Sequence, residues 1–314
     1  MKTFKGSIFL GLALAAALLV VSACSSSISI GAGGSPTPSS LTPLQVLQNS
    51  AKAMQKLNSV HFVTTSNGSF QANNAGTPTT AATPGINSSS VNVKASGDAA
   101  LPNQEKSQIT LNQGVNLAEI VTADKVYIQN TRGQWYVLDK STLQGYAGGN
   151  PFAGVNLPNM HDWIALLQHV QLTDHGTEAL NGQNLRHITA TLDKDSLKQL
   201  LTSNGQLNSE FGKQNIDSVL NSAKSLIATL DAWIDESTFY VHRTELKLNL
   251  NADLSSLRGA SGTPAATTTA TVPSNITTTL DSIVDLSKFN EPLTITPPAN
   301  AIPTDNPLVI FGSQ

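Results

Sequence analysis

Side chains able to do chemistry are few and far apart in this 314-residue chain. Cys24 is the one thiol, and six histidines are scattered: His61, His161, His169, His175, His187 and His242. None of them falls in an HExxH pattern or in a paired His/Cys ligand spacing, so no metal site is expected. His169 and His175 are close in sequence but sit in different predicted elements. There is no GxSxG elbow, P-loop or GxGxxG run, and Gly145, Gly148 and Gly149 read as turn formers. The acids are dispersed; Asp231, Asp235 and Glu236 read as solvated strand ends rather than a catalytic pair. The sequence therefore predicts no enzyme, no catalytic residue and no cofactor.

Cys24 gains its meaning from what precedes it. A basic start (Lys2, Lys5), an apolar run from Ile8 to Val21 and the small residues Ser22 and Ala23 compose a secretory signal over 1–23. The run is short for a span of about 20 residues. Val21-Ser22-Ala23-Cys24 resembles a bacterial lipobox, which implies cleavage between Ala23 and Cys24 and attachment of a diacylglyceryl group to the Cys24 sulfur. The competing reading makes Cys24 a small residue at the end of an uncleaved anchor. Two acyl chains, at about 0.8 kcal/mol per buried CH₂, anchor a protein stably where one does not. The expected location is thus the extracytoplasmic face of the cell membrane, with membrane lipid a partner through Cys24. A lone, modified cysteine leaves no disulfide, so the fold must rest on an ordinary core.

Loss of Lys2 and Lys5 with the signal moves the formal net charge from −3 to −5. That balance excludes nucleic acid as a partner, since it offers no basic patch. Abundant Asn, Gln, Ser and Thr make a neutral, hydrated surface.

The elements follow from periodicity. Residues 24–43 are Ser/Gly/Pro-rich and read as a flexible tether. Leu44, Leu47, Ala51, Met54 and Leu57 recur at helical spacing after Thr42-Pro43, and Val60–Thr65 alternates as a strand. Asn67–Ser89 is polar and low in complexity, and is expected to be a long hairpin loop. Val91–Ala100, Ser107–Asn112, Val115–Thr122, Lys125–Asn130 and Gln134–Asp139 alternate between turn signals, as an antiparallel meander does. Ser141–Leu157 reads as a loop and Asp162–His169 as a short helix. A hairpin turns at Asn181-Gly182, and Asp193 or Asp195 can cap a helix holding Leu197, Leu200 and Leu201. A helix over about Ile216–Ile227 is expected, then strands Thr229–Asp235, Thr238–Leu254 and Thr277–Leu286. Leu246, Leu248 and Leu250 give the second of these one apolar face. Arg258–Ser274 is a second low-complexity loop. The expected domain covers 44–300, with loops near 67–89 and 258–274, followed by a tail over 301–314.

The passage Leu47–Phe62, with Ser50, Ala53-Met54, Leu57 and Ser59 at their spacing, resembles the opening of LppX/LprAFG-type lipoproteins. Val284–Pro298 is similar to the same family's last strand and exit, and Val126-Tyr127-Ile128 with Gly133–Tyr136 to its central hairpin. The resemblance implies an α+β, LolA-like fold: a strongly curved antiparallel β-sheet, a half-barrel, with helices packed in its concave face. It also implies a hydrophobic cavity between sheet and helices that takes a lipid or acylated molecule. The candidate lining is Phe62, Leu111, Ile128, Trp135, Trp163, Leu246, Leu248 and Leu250. Trp135, Trp163 and Trp233 serve equally well as core anchors, because core and cavity wall share one composition.

Three roles fit these readings. One is a membrane-anchored envelope lipoprotein that binds, and carries across the envelope, a lipid or acylated ligand. Another is a non-enzymatic sensor or interaction module with other envelope proteins as partners, and a third is a passive surface protein with a filled core.

Overall fold

A computed structural model describes residues 41–73, 86–141, 170–203, 213–253 and 275–306. Cys24, the tether up to residue 40, residues 142–157 of the expected loop, Trp163, the 162–169 helix and the 258–274 loop lie outside them. The described residues form twelve strands in one sheet, in the order β12-β6-β5-β4-β3-β2-β1-β11-β10-β9-β8-β7. In chain order the long strands are β1 (Ser59–Asn73), β2 (Ile86–Ala100), β3 (Gln104–Leu111) and β4 (Val115–Val121). The short β5 (Lys125–Gln129) and β6 (Trp135–Asp139) complete the meander. The second half supplies β7 (Gln171–Leu180), β8 (Gln183–Thr191), β9 (Ala223–Ile234), β10 (Val241–Asp253) and β11 (Asn275–Ser287), with β12 (Ile302–Pro303) at the far edge. Every pairing is antiparallel except β12 with β6. Right-handed strand twist makes so wide an open sheet curl, and the result is an open, curved sheet with few helices.

Among the described residues three α-helices accompany it: α1 (Pro43–Met54), α2 (Lys194–Ser203) and α3 (Lys213–Asn221). A capping box starts α1, where the Gln45 amide donates to Thr42 Oγ1 (3.3 Å) and the Thr42 amide to Gln45 Oε1 (2.9 Å). Pro43 occupies the first turn, where its missing N–H costs nothing. For α2 the cap is Asp193, whose Oδ1 accepts from the Ser196 amide at 2.8 Å.

Three expectations differ from this. Residues 67–73 and 86–89 are strand, not loop: β1 and β2 stay in register from Ser59↔Ala100 to Asn73↔Ile86. Backbone pairing on both edges of β1, to β2 and to β11, sustains a polar strand that side-chain propensity alone would not. The helix expected to reach Ile227 ends at Asn221, and β9 begins at Ala223. Leu226, Ala228 and Leu230 there oppose Leu250, Leu248 and Leu246 of β10, so a period of two overrides a helical reading of a short apolar run. Finally, Ile302 and Pro303 of the expected tail pair with Tyr136 and Val137.

The closing segment is tied back to the opening strand. Asn290 adopts φ 60°, a left-handed conformation that asparagine tolerates. Its Oδ1 accepts from the Asn58 amide (2.8 Å), its amide donates to Ser59 O (2.9 Å) and its Nδ2 donates to Tyr240 Oη (3.0 Å).

Candidate functional site

Successive strand residues point to opposite faces, so register alone divides the sheet. On the inner face Leu248 lies opposite Ala228 and Leu280, and Leu250 opposite Leu226. Farther along, Ile109 is opposite Leu117, and Val126 opposite Val121 and Leu138. These residues make one buried cluster that runs from β6 to β9 and takes in Leu192, Leu197 of α2 and Leu220 of α3. Burying that much aliphatic surface, at about 25 cal/mol per Å², is the main favourable term holding helices to sheet. A separate cluster under α1 joins Met54 and Leu57 to Phe62, Ala99, Val284 and Leu286.

Most of the predicted lining residues lie on this inner face. Ile128, Leu248 and Leu250 are buried members of the large cluster, and Leu111 and Leu246 pack against it partly exposed. Phe62 is on the same face but in the cluster under α1. Trp135 is not: it pairs with Gln129, whereas its neighbour Tyr136 faces Ile128 and packs on the large cluster. One step of strand parity thus puts Tyr136, and not Trp135, on the inner face. Trp233 is likewise on the opposite face, its ring stacked on His187 with centroids 4.2 Å apart.

Between the clusters the inner face is made of small or polar groups. Thr64, Ser66 and Ser282 are fully buried, with Ser66 Oγ and Ser282 Oγ 2.6 Å apart. Gly97 faces Phe62 across the β1–β2 pair, and a Cβ there would stand 2.7 Å from the Phe62 Cζ and 2.4 Å from Lys106 O. Beside it, Ser107 is opposite Glu119, and Glu105 is two residues from Ser107 on the same face. Glu119 is only 5% exposed, and its Oε2 has no hydrogen-bond partner among the described residues. Burial pushes the Glu119 carboxyl well above its ordinary range, and the charge of Glu105 adds to the rise. Burial also raises Glu105, to about 7, against weaker opposition from Ser107 and Lys140. The Lys140 ammonium is lowered by its own burial, with Asp124, Glu119 and Glu105 opposing. The inner face thus offers a long apolar strip ending at two carboxyls that resist ionisation. Sequence reading missed the pair, although strand alternation puts Glu105 and Ser107 in phase with Ile109.

Fold and site together describe a strand-rich domain, one open curved antiparallel sheet with an apolar inner face. The profile of the LppX_LprAFG lipoprotein family matches residues 42–295, and the chain belongs to that family. Among solved structures it is similar to the lipoprotein LppX of Mycobacterium tuberculosis, at 19% identity over 81% of this chain and 97% of that one, with a TM-score of 0.39. It is also similar to LprF of Mycobacterium bovis, at 18% identity over 85% of this chain and all of that one, with a TM-score of 0.41. No curated protein matches the chain. Among the described residues no helix is long and apolar enough to cross a membrane.

Proposed function

We propose that the inner face holds the acyl portion of a lipid or acylated molecule between the sheet and its covering helices, in a protein anchored through Cys24. The observation that carries this is the buried aliphatic strip from Leu138 to Leu248 and Leu250, covered among the described residues by two helices of 10 and 9 residues. Membership of a lipoprotein family supports it. The energetics are undemanding. Taking a 16-carbon chain out of water is worth about 12 kcal/mol at ~0.8 per CH₂, yet extraction from a bilayer starts in an equally apolar place. Such a carrier needs a dry strip near the membrane and no specific motif, and movement of cargo across the envelope follows from the same near-neutral transfer.

Native mass spectrometry of the protein from a lipid-rich host tests this. Bound lipid is expected, released by organic solvent. It should be lost in Leu246→Trp, whose side chain is half-buried on the inner face, and kept in Ile227→Trp on the outer face, with circular dichroism unchanged in both. A clean apo mass, with no uptake from added vesicles, would overturn the proposal.

A further inference from the structure

The opposite face of the sheet carries a cluster that the lipid reading does not use. In the β7–β8 hairpin Asp174 pairs with Ile188 and Gly176 with His187, so His175 is the extra residue of a bulge. Gly176 makes the bulge possible with φ 75°, its amide donating to Asp174 Oδ1 at 3.0 Å. Bulges re-aim side chains, and this one lays the His175 ring on the His187 ring with centroids 4.3 Å apart. Trp233 stacks on His187 at 4.2 Å. Register then delivers a carboxylate, since Thr189 lies opposite Asp231 in β9.

The polar atoms converge. His187 Nε2 is 2.9 Å from Asp231 Oδ1. His175 Nε2 is 2.8 Å from Thr189 Oγ1, whose hydroxyl donates to the same Asp231 oxygen. One ligand atom from each of His175, His187 and Asp231 fits within a 4.8 Å span. Behind them, Glu178 Oε2 accepts from Trp233 Nε1 (3.1 Å) and stands 3.0 Å from His187 Nδ1. A carboxylate at the second nitrogen of a ligating histidine is the usual outer partner at metal sites, where it fixes the tautomer and ring orientation.

The geometry points to a divalent transition-metal site of the Zn²⁺ class, formed by His175, His187 and Asp231. Two imidazole nitrogens and one carboxylate suit a borderline ion, not Ca²⁺ or Mg²⁺, which take oxygen ligands. Metal–ligand bonds of about 2.1 Å at tetrahedral angles put donor atoms roughly 3.4 Å apart, so on binding the His187–Asp231 pair opens by a few tenths of an ångström, while the three donors, now within a 4.8 Å span, close by up to about 1.4 Å as the exposed His175 ring rotates off its stack on His187. Glu245, opposite Asp231, adds negative charge partly offset by Lys247 at 2.6 Å. Asp231 is buried while His175 is exposed, so the site has a rigid floor, an open side for entry and a coordination position left for water.

Untagged full-length protein in detergent, stripped with chelator and titrated with Zn²⁺ by calorimetry, tests this. One saturable equivalent is expected, with Co²⁺ giving the visible absorption of a four-coordinate site. His175→Ala and Asp231→Asn should each weaken binding at least tenfold, and Glu178→Gln by about tenfold through its outer position. His61→Ala is the control and should bind as the parent does. His175 is exposed, so its replacement leaves the metal-free melting temperature in place. Absence of saturable binding by the parent protein, or equal affinity in His175→Ala, would overturn the site.

Discussion

Arg186 is 8% exposed, yet its guanidinium meets Asp174 Oδ2 at 2.6 Å, Glu236 Oε1 at 2.7 Å and the Leu41 carbonyl at 2.8 Å. It joins β8, the β9–β10 turn and the approach to α1 through one side chain. Arg186→Ala strands two carboxylates in a partly desolvated place, and a loss of about 3 kcal/mol in urea unfolding is expected; an effect under about 1 kcal/mol would show that water replaces it. Glu119 presents the reverse situation, a buried carboxyl with too few partners. Glu105 and Glu119 both hold protons in the native state that the unfolded chain gives up near its ordinary value of 4.5. Their stabilising contribution is therefore complete below that pH and is lost as pH rises, through about 7 for Glu105 and higher still for Glu119. His242, lowered by burial, works in the opposite sense, but its contribution is complete above its ordinary value of 6.5. Glu119→Gln should raise the melting temperature at pH 8 and do so less at pH 5, while equal shifts at both values would contradict the assignment. Neither residue was legible as special in the sequence. Arg186 takes partners 12 and 50 residues away, and a glutamate in an alternating strand looks solvated until the register fixes its face.

At the scale of elements, the strands with clean alternation were the legible ones. Leu246, Leu248 and Leu250 announce their face, and the Thr42-Pro43 start of α1 is written in capping chemistry. The polar ends of β1 and β2 were not, because they are held by backbone pairing with each other and, for β1, with β11 about 200 residues away, and not by their own side chains. The start of β9 was hidden for a related reason, since Ala223–Leu230 has no flanking breaker to separate strand from helix. Gly97 shows how tight the β1–β2–β3 contact is. A methyl group there would meet Lys106 O at 2.4 Å, Phe62 Cζ at 2.7 Å and Ser107 Cβ at 2.9 Å. Because the first of these is backbone, relaxation is costly, and Gly97→Ala should destabilise by about 1–3 kcal/mol. A melting temperature unchanged from the parent would mean that the Phe62 ring and β3 can move aside together. Removal of the α1 cap in Thr42→Ala should cost about 1 kcal/mol, read in the same melt.

The whole molecule is a two-faced sheet. Among the described residues its inner face collects buried aliphatic side chains from ten of its strands and from its helices, while its outer face holds charged and aromatic groups such as Arg243 with Asp285 (2.7 Å) and the stacked His175, His187 and Trp233. The fold class and the family were readable from the order of pieces behind Cys24. The division of labour between faces was not, because Trp135 and Trp233 differ from inner-face residues only by one step of register. The direct test of the account is to load the protein with a phospholipid bearing a photoreactive diazirine on its acyl chain, irradiate, and map the adducts by peptide mass spectrometry. Adducts concentrated on inner-face peptides carrying Val93, Ile109, Leu248 and Leu250 are the predicted result. Adducts confined to the outer face around His175 and Trp233, or none above a detergent-competed background, would contradict it.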